Sequence, residues 1–453
     1  MTQRNEDPIP LASPKRRKWV ADFGGGTISS DGGLLLLREA DRQIGLLDAL
    51  DAAIPDPRHP FFISHPQRTL LAQRVFGIAC GYEDLADHQA LREDPLWQAA
   101  ADHPGPDAAP QLASPPTLCR LENRVTRRSL ARIAAVLVDQ FIAAHAAPPE
   151  RVVLDFDATD DPVHGNQEQR FFQGYYRSYC FLPLYVFCGD HLLVAYLRPA
   201  NIDGSKHTRA ILKLLVRRLR QAWPDVTIRL RSDSGFCRWK LLRWCDENGV
   251  EYLVGLARNA VLQRQSQGWM DEAKAAFERE KKASRVFGEF EYGAESWDRK
   301  RRVIAKAEYL PGEKENPRYV VTNCAGELRA LYEDEYCARG EMENRIKEQQ
   351  LGLFADRTSC HHFVANQFRV LLAAAAYVLV SHIRRVGLAD TELAQAQVGT
   401  IRLKLFKVGA WVQRSVRRMV VRLSGACPYQ ALFRQAVERM GSRPAAAPAS
   451  PSG

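Results

Sequence analysis

The stretch Arg151 to Asp161, RVVLDFDATDD, constrains this chain more than any other. Val152, Val153 and Leu154 make a short apolar, β-branched run of the kind that forms a buried strand. Carboxylates at Asp155, Asp157, Asp160 and Asp161 then crowd its C-terminal end. Four acids within seven residues repel one another at neutral pH unless a cation sits among them. Side chains alternate along a strand, so Asp155 and Asp157 point the same way. A hydrophobic strand that delivers acids to its carboxyl end suits a divalent metal at the edge of an α/β sheet. A strand running into an acidic surface turn would read the same.

The rest of the chain sets the context. At 453 residues, 46% hydrophobic and 26% charged, it has core enough for roughly two to four domains. A net charge of +10 favours a polyanionic partner, nucleic acid ahead of a membrane surface. Ten cysteines with no CxxC pair argue against a zinc ribbon or a disulfide framework, and suit a reducing cytoplasm. The N-terminus lacks the apolar core of a signal peptide, and the longest apolar run, Val370 to Val380, is too short to span a bilayer.

Read in order, residues 1–20 form a basic, Pro-containing arm with the composition of disorder. Residues 21–148 carry helical periodicity and read as a helical N-terminal region, for which the net positive charge makes DNA binding the expectation. Within it, Thr117 caps a helix that presents Arg120, Arg124, Arg127, Arg128 and Arg132, either a phosphate grip or a solvated face. Residues 149–257 begin an α/β core, with the Arg151 strand joined to a hairpin that turns at Gly189-Asp190. A helix over 206–222 and a strand over 226–231 follow, and that strand also ends in an acid, Asp233.

Residues 258–326 read as a small antiparallel β insertion, and 327–390 return to the core with two helices. The region 391–441 is strongly basic: Ile401 to Arg443 holds ten Lys/Arg against one acid. There Ile401, Leu403 and Leu405 alternate with Arg402, Lys404 and Phe406 as in a strand, with Arg402, Lys404, Arg417 and Arg418 as phosphate contacts. Residues 442–453 are an Ala/Pro/Ser tail with the composition of disorder.

Tyr336, Arg339, Glu343 and Lys347 are spaced by three, four and four, which lines them on one helix face. A mixed-charge surface helix produces such a stripe often. Two strand-end aspartates plus this glutamate, however, supply oxygen ligands for two Mg²⁺ ions (or Mn²⁺). Arg339, one turn before Glu343, is placed to hold a phosphate beside them.

These residues carry a family resemblance. Asp157-Ala158-Thr159 and Arg231-Ser232-Asp233-Ser234-Gly235-Phe236 resemble the first two motifs of the DDE transposases of bacterial insertion sequences. Tyr336-x-x-Arg339-x-x-x-Glu343 resembles the signature of their insertion-sequence-four-like superfamily. His164-Gly165-Asn166-Gln167, Glu343-Asn344-Arg345-Ile346-Lys347-Glu348 and Asp356-Arg357-Thr358 look like the thirteen-eighty group.

The resemblance spans about Asp22 to Met440. It implies an α/β fold with a ribonuclease H-like mixed sheet flanked by helices and interrupted by a β insertion. It implies catalysis by Asp157, Asp233 and Glu343 with Mg²⁺, and DNA contacts from Tyr336, Arg339 and Lys347. The partners it implies are terminal inverted repeats and target DNA, bound by a dimer in a bacterial cytoplasm. One position departs from the signature: its later lysine is Gln350 here, and Lys347 stands one turn after Glu343 instead.

Two rivals remain at this level. Asp155-Phe156-Asp157-Ala158-Thr159 also fits the DxDxT motif of haloacid-dehalogenase-like phosphatases, with Asp155 as nucleophile. A DNA-binding protein that has lost catalysis is the other, and the presence of all three acids opposes it.

Overall fold

The Phe156 and Ser232 backbones pair in register on adjacent parallel strands, and this pairing sets the position of everything functional. The computed structural model describes residues 9, 12, 19–102, 111–312, 314–415 and 418–441. The expected N-terminal arm, apart from a few residues, and the C-terminal tail lie outside the described residues, as does Arg417. The chain divides into two units, one of residues 123–378 and one of 1–122 with 379–453.

The 123–378 unit is built on one mixed sheet. In chain order its main elements are α1 (Arg127–Ala143), β1 (Arg151–Ala158), β2 (Leu184–Cys188), β3 (His191–Tyr196), α2 (Thr208–Ala222) and β4 (Thr227–Ser232). Then come α3 (Trp239–Glu247), β5 (Glu251–Leu256), α4 (Gln267–Glu280), β6 (Ser284–Tyr292), β7 (Arg301–Leu310) and β8 (Arg318–Thr322). Helices α5 (Gly340–Lys347) and α6 (Phe363–His382) follow. The strand order is β6-β7-β8-β5-β4-β1-β2-β3. Strands β1, β4 and β5 are parallel neighbours, while β2 and β3 add antiparallel through a turn at Gly189, whose φ of 54° needs glycine.

The three strands of the expected insertion do not form a separate sheet. β8 pairs antiparallel with β5 from Leu253 to Leu256, so β6, β7 and β8 continue the main sheet and cover the edge β5 would otherwise expose. From pattern alone, a separate hairpin and an extension of the sheet look identical.

The alternation of β1 sorts its side chains. Val152, Leu154 and Phe156 are buried against Phe141 of α1, Leu212, Leu215 and Leu219 of α2, and Leu241 and Leu242 of α3. Each such side chain contributes about 1.5–3 kcal/mol by leaving water. Asp155 and Asp157 alternate to the opposite face. There Leu253, Ile304 and Val320 pack against Leu331 and Tyr332 of the segment leading into α5.

Helix α6 continues through a wider turn, and Phe363–Gly387 is long and apolar enough to cross a membrane, yet 78% of its apolar window is buried within the chain. That is the burial expected of a core helix.

In the other unit, helices Leu34–Ile44 and Leu46–Ala53 break at Gly45, which adopts φ 62°, and a third helix spans Gln67–Cys80. Ile28–Ser29 pairs with Ala410–Arg414, which pairs with Met419–Leu423. Asp31, buried, accepts from Lys407 Nζ at 2.8 Å, Trp97 Nε1 at 3.0 Å and Tyr82 Oη at 3.1 Å. Gly33 allows the chain at Phe406 to approach, since a Cβ there would stand 2.2 Å from the Phe406 Cα.

The expected strand at Ile401–Phe406 is instead helical, as Val398–Ile401 and Arg402–Phe406. Ile401 and Leu405, four apart, are both buried, whereas Leu403 is 73% exposed. Two of the three leucine-type positions therefore fitted both periods, and the third fitted only the wrong one.

Candidate active site

Asp157 lies near the end of β1, and Asp233 is the first residue beyond β4. Because Phe156 pairs with Ser232, the two aspartates sit side by side at the carboxyl ends of neighbouring parallel strands. Each is fixed by a backbone N–H: Ala158 donates to Asp157 Oδ1 at 2.8 Å, and Gly235 donates to Asp233 Oδ1 at 2.9 Å. The second bond closes the short 3₁₀ turn Ser234–Phe236 that Asp233 caps.

The third acid comes from a helical stretch of changing pitch. Ala330–Tyr336 is wound as a π-helix, Cys337–Arg339 as a 3₁₀ turn, and α5 from Gly340 is α-helical. A 3₁₀ turn carries three residues, so Tyr336 and Arg339 share a face, and four residues of α-helix bring Glu343 under Arg339. Such mid-helix changes of pitch recur at functional sites.

The result is one guanidinium between two acids. Arg339 donates to Asp157 Oδ2 at 3.4 Å and to Glu343 Oε1 at 3.2 Å. Asp157 and Arg339 are mostly buried, whereas the Glu343 carboxylate is about half exposed (53%). Burial, and next the charge of Asp233, push the Asp157 carboxyl up to about 6, against the opposing pull of Arg339. Burial opposes the charge on Arg339, but Asp157, Tyr336, Asp233 and Glu343 together push its pKa above the ordinary arginine value. Two of the three predicted acids thus share one cation, and Asp233 stands beside Asp157 on the neighbouring strand.

Asp155 does something else. Arg231, its register partner on β4, binds it with both arms, Nη2 to Oδ2 at 2.7 Å and Nε to Oδ1 at 2.5 Å. The third nitrogen of the same guanidinium donates to the Glu335 carbonyl, and Arg229 pairs with the Glu335 carboxylate and with Glu251. Two arginines on one strand face therefore pin the chain just before Tyr336 onto the sheet. Asp155 is buried and bound by both arms of Arg231, whereas a phosphatase would need it free to attack.

The model of the transposase DDE domain, group 1, matches residues 11–445. The chain belongs to this DDE transposase family. No curated protein matches it at the level searched. A piggyBac transposase synaptic complex with hairpin DNA is similar in structure, with a TM-score of 0.42 at 10% identity, over 92% of this chain and 83% of that one.

The other motif phrases of this transposase meet around the acids. Gln167 Nε2 donates to the Thr358 carbonyl at 3.1 Å, and Thr358 Oγ1 donates to buried Asp161 at 3.0 Å. Burial holds the Asp161 carboxyl well above the usual range, so this acid does not add another free charge to the opening stretch. Gln350, at the position of the signature lysine, donates to the Asp160 carbonyl at 2.8 Å and so fastens the loop after β1. Arg345, buried, ties α5 to Asp190 of the β2–β3 turn at 2.5 Å.

Two positioning residues escaped sequence reasoning. Gly255 on β5 has no side chain because none fits: a Cβ would stand 2.6 Å from Tyr336 Oη and 2.8 Å from Ser234 N. Arg231 was visible only as a flank of Asp233, although its alternation with Arg229 marks a shared strand face.

Among the predicted DNA contacts, Arg120, Arg127, Lys347 and Arg418 are exposed, and Arg124 and Lys404 are half-buried. Lys404 Nζ lies 4.8 Å from the Tyr429 ring centre. Tyr336 turns inward beside Tyr332, with its hydroxyl pKa raised by burial, and so shapes the site rather than a surface. Arg402 is also spent internally, donating to the carbonyls of Ala79 at 2.8 Å and Ile78 at 3.3 Å at the end of a helix. The predicted arginine helix is two helices, Pro115–Arg124 and Arg127–Ala143, because Thr126 caps the second by accepting from Ser129 N. Thr117 lies within the first.

Among the described residues, two groups of side chains offer metal ligands. Asp157, Asp233 and Glu343 present only carboxylate oxygens, with one arginine against three acids, a donor set that fits a hard divalent cation. Glu168, His361 and His362, all exposed, bring one ligand atom each to within 4.8 Å of one another. Glu168 is already engaged there, accepting from Phe363 N at 3.1 Å and lying 3.1 Å from His362 Nδ1.

Proposed function

We propose that this chain is the transposase of a bacterial insertion sequence, cutting the ends of its element and joining their 3′-hydroxyls to target DNA. One observation carries the reading: Asp157 and Asp233 sit side by side at the carboxyl ends of two adjacent parallel strands, and Arg339 bridges Asp157 to Glu343. The strand order β3-β2-β1-β4-β5, an antiparallel meander followed by two helix–strand steps, supports a ribonuclease H-like core. The motif phrases support membership of the thirteen-eighty group.

Asp157, Asp233 and Glu343 would hold two Mg²⁺ or Mn²⁺ ions, which when bound activate the attacking oxygen and stabilise the leaving one. The residues of the chain supply the rest. Arg339, already held at the acids, offers its N–H donors to the scissile phosphate. Arg231 and Gly255 keep the Tyr336–Glu343 segment on the sheet, so that Glu343 faces the aspartates. Glu343, half exposed, leaves the site open to a duplex.

The helical N-terminal region contacts phosphates of the inverted repeats, with Arg120, Lys404 and Arg418 of one unit and Arg124, Arg127 and Lys347 of the other as the cations. Two ends held together call for a dimer on the DNA, in the cytoplasm of a bacterial cell.

The test is a labelled duplex carrying the end of the element, incubated with Mg²⁺ or Mn²⁺. Metal-dependent strand cutting is expected, with binding that weakens steeply as salt rises. Binding without cutting in either metal would overturn the proposal in favour of a DNA-binding protein without catalysis.

A further inference from the structure

Helices α2 and α3 both begin at the end of the sheet where the acids lie. β3 runs parallel to β1, since each is antiparallel to β2, so α2 starts at the carboxyl end of the sheet; α3 starts six residues after Asp233. Between the first two turns of α2 and the length of α3 lies a groove of about 330 Å³. Arg209 and Lys213 line one wall, and Trp239, Lys240, Arg243 and Trp244 the other.

The four cations are exposed, and the one acid in the lining, Glu247, pairs with Arg243 at 2.7 Å. Lys213 Nζ lies 5.6 Å from the Trp244 ring centre and Lys240 Nζ lies 5.4 Å from that of Trp239. Trp244 is half-buried against the core, and Trp239 is half-buried in the wall of the groove. Nothing in the site described above uses these residues.

We propose that this groove seats one strand of DNA, its phosphates on Lys213, Lys240 and Arg243 and a base against the Trp239 ring. A surplus of positive charge fits a phosphodiester backbone, and indoles set among cations are the combination that holds unpaired bases. Duplex DNA would use the charges but leave the rings idle. Helices α2 and α3 cover the Val152, Leu154 and Phe156 face of the sheet, opposite to Asp157, so the strand this groove seats runs outside the catalytic site. The source of that strand rests on the transposase reading.

The full-length protein is tested with a single-stranded oligonucleotide carrying 5-iododeoxyuridine. Irradiation followed by peptide mapping is expected to place the crosslink within Trp239 to Trp244. By fluorescence anisotropy, Lys213→Glu with Lys240→Glu is expected to weaken single-strand binding at least tenfold. The slope of log affinity against log salt should fall by about 1.4, the loss of two phosphate contacts on a single strand. Trp239→Ala is expected to weaken single-strand binding about tenfold while leaving duplex binding unchanged. Thermal melting of each variant separates these effects from misfolding.

Crosslinks found only elsewhere, or an unchanged affinity and slope in the double variant, would overturn the proposal. Equal losses on single strand and duplex with Trp239→Ala would overturn the single-strand assignment. End cleavage by the same preparations distinguishes the two readings. A protein that crosslinks at Trp239 but never cuts keeps the groove and loses the transposase reading; one that cuts while the groove variants bind normally loses only the groove.

Discussion

The Arg339 guanidinium reaches the Asp157 carboxylate at 3.4 Å across 182 positions of sequence. The same side chain holds Glu343 at 3.2 Å, so a cation belonging to the protein neutralises part of the acidic site. Any divalent ion entering between these acids competes with it.

Arg339→Ala is therefore expected to bind Mn²⁺ more tightly in the absence of DNA. Partly exposed pairs contribute up to about 1 kcal/mol each, so the gain is roughly fivefold by isothermal titration. Cleavage should nevertheless fall, because the phosphate donor is gone. Unchanged Mn²⁺ affinity would show that the ion pair does not compete.

Arg231→Ala leaves the buried Asp155 carboxylate without its partner and frees the Glu335 carbonyl. Removing one member of a buried pair costs about 3 kcal/mol or more, to be read as a fall in urea midpoint. Asp155→Asn, which keeps the shape and removes the charge, should still cut DNA in Mg²⁺. Loss of cutting with normal folding in Asp155→Asn would instead make Asp155 part of the chemistry.

Gly255→Ala drives a methyl group into Tyr336 Oη and Ser234 N, which carry the two acid-bearing segments. Overpacking of this kind costs about 1–3 kcal/mol, and the shift it forces should lower the cleavage rate at least tenfold. Gly268→Ala is the control, since nothing lies within 4 Å of its added carbon. Equal activity in the two variants would deny Gly255 its positioning role.

His88 gives a pH signature in the other unit. It is fully buried, 3.3 Å from Gln73 Nε2 and 3.1 Å from Arg74 Nη1, with the Trp97 ring edge-on and Glu122 paired to Arg74. Burial, then the charge of Arg74, hold its pKa down to about 3, against about 6.5 unfolded. Between those values the unfolded chain binds the extra proton, so stability is full above about 6.5 and falls as pH drops. The slope is at most about 1.4 kcal/mol per pH unit. His88→Gln should flatten that part of the profile in urea unfolding between pH 7.5 and 4.5; an unchanged slope would assign the effect to other groups.

Much of the site was legible because its signals are local. The strand into Asp157, the strand into Asp233 and the three-and-four spacing of Tyr336, Arg339 and Glu343 each fix a face within a few residues. What the sequence could not decide depended on neighbours across the sheet. Asp155 and Asp157 share one strand face, and only the arginine opposite Asp155 on β4 tells the two apart.

Arg402 read as a surface charge because its partners, two carbonyls ending another helix, are far away in the chain. The Ile401–Phe406 stretch misled because short apolar runs satisfy both periods. Gly255 carried no signal, since a glycine excluded by a neighbouring tyrosine looks like any other until the fold brings the two together.

The central claim is that Asp157, Asp233 and Glu343 form one metal-dependent catalytic set. The most direct measurement is cleavage of a labelled end-bearing duplex in Mg²⁺ or Mn²⁺ by the wild type and by Asp157→Asn, Asp233→Asn and Glu343→Gln, with binding followed in parallel. The account predicts that each substitution abolishes cutting while DNA binding persists. A Glu343→Gln protein that cuts as fast as the wild type would contradict it.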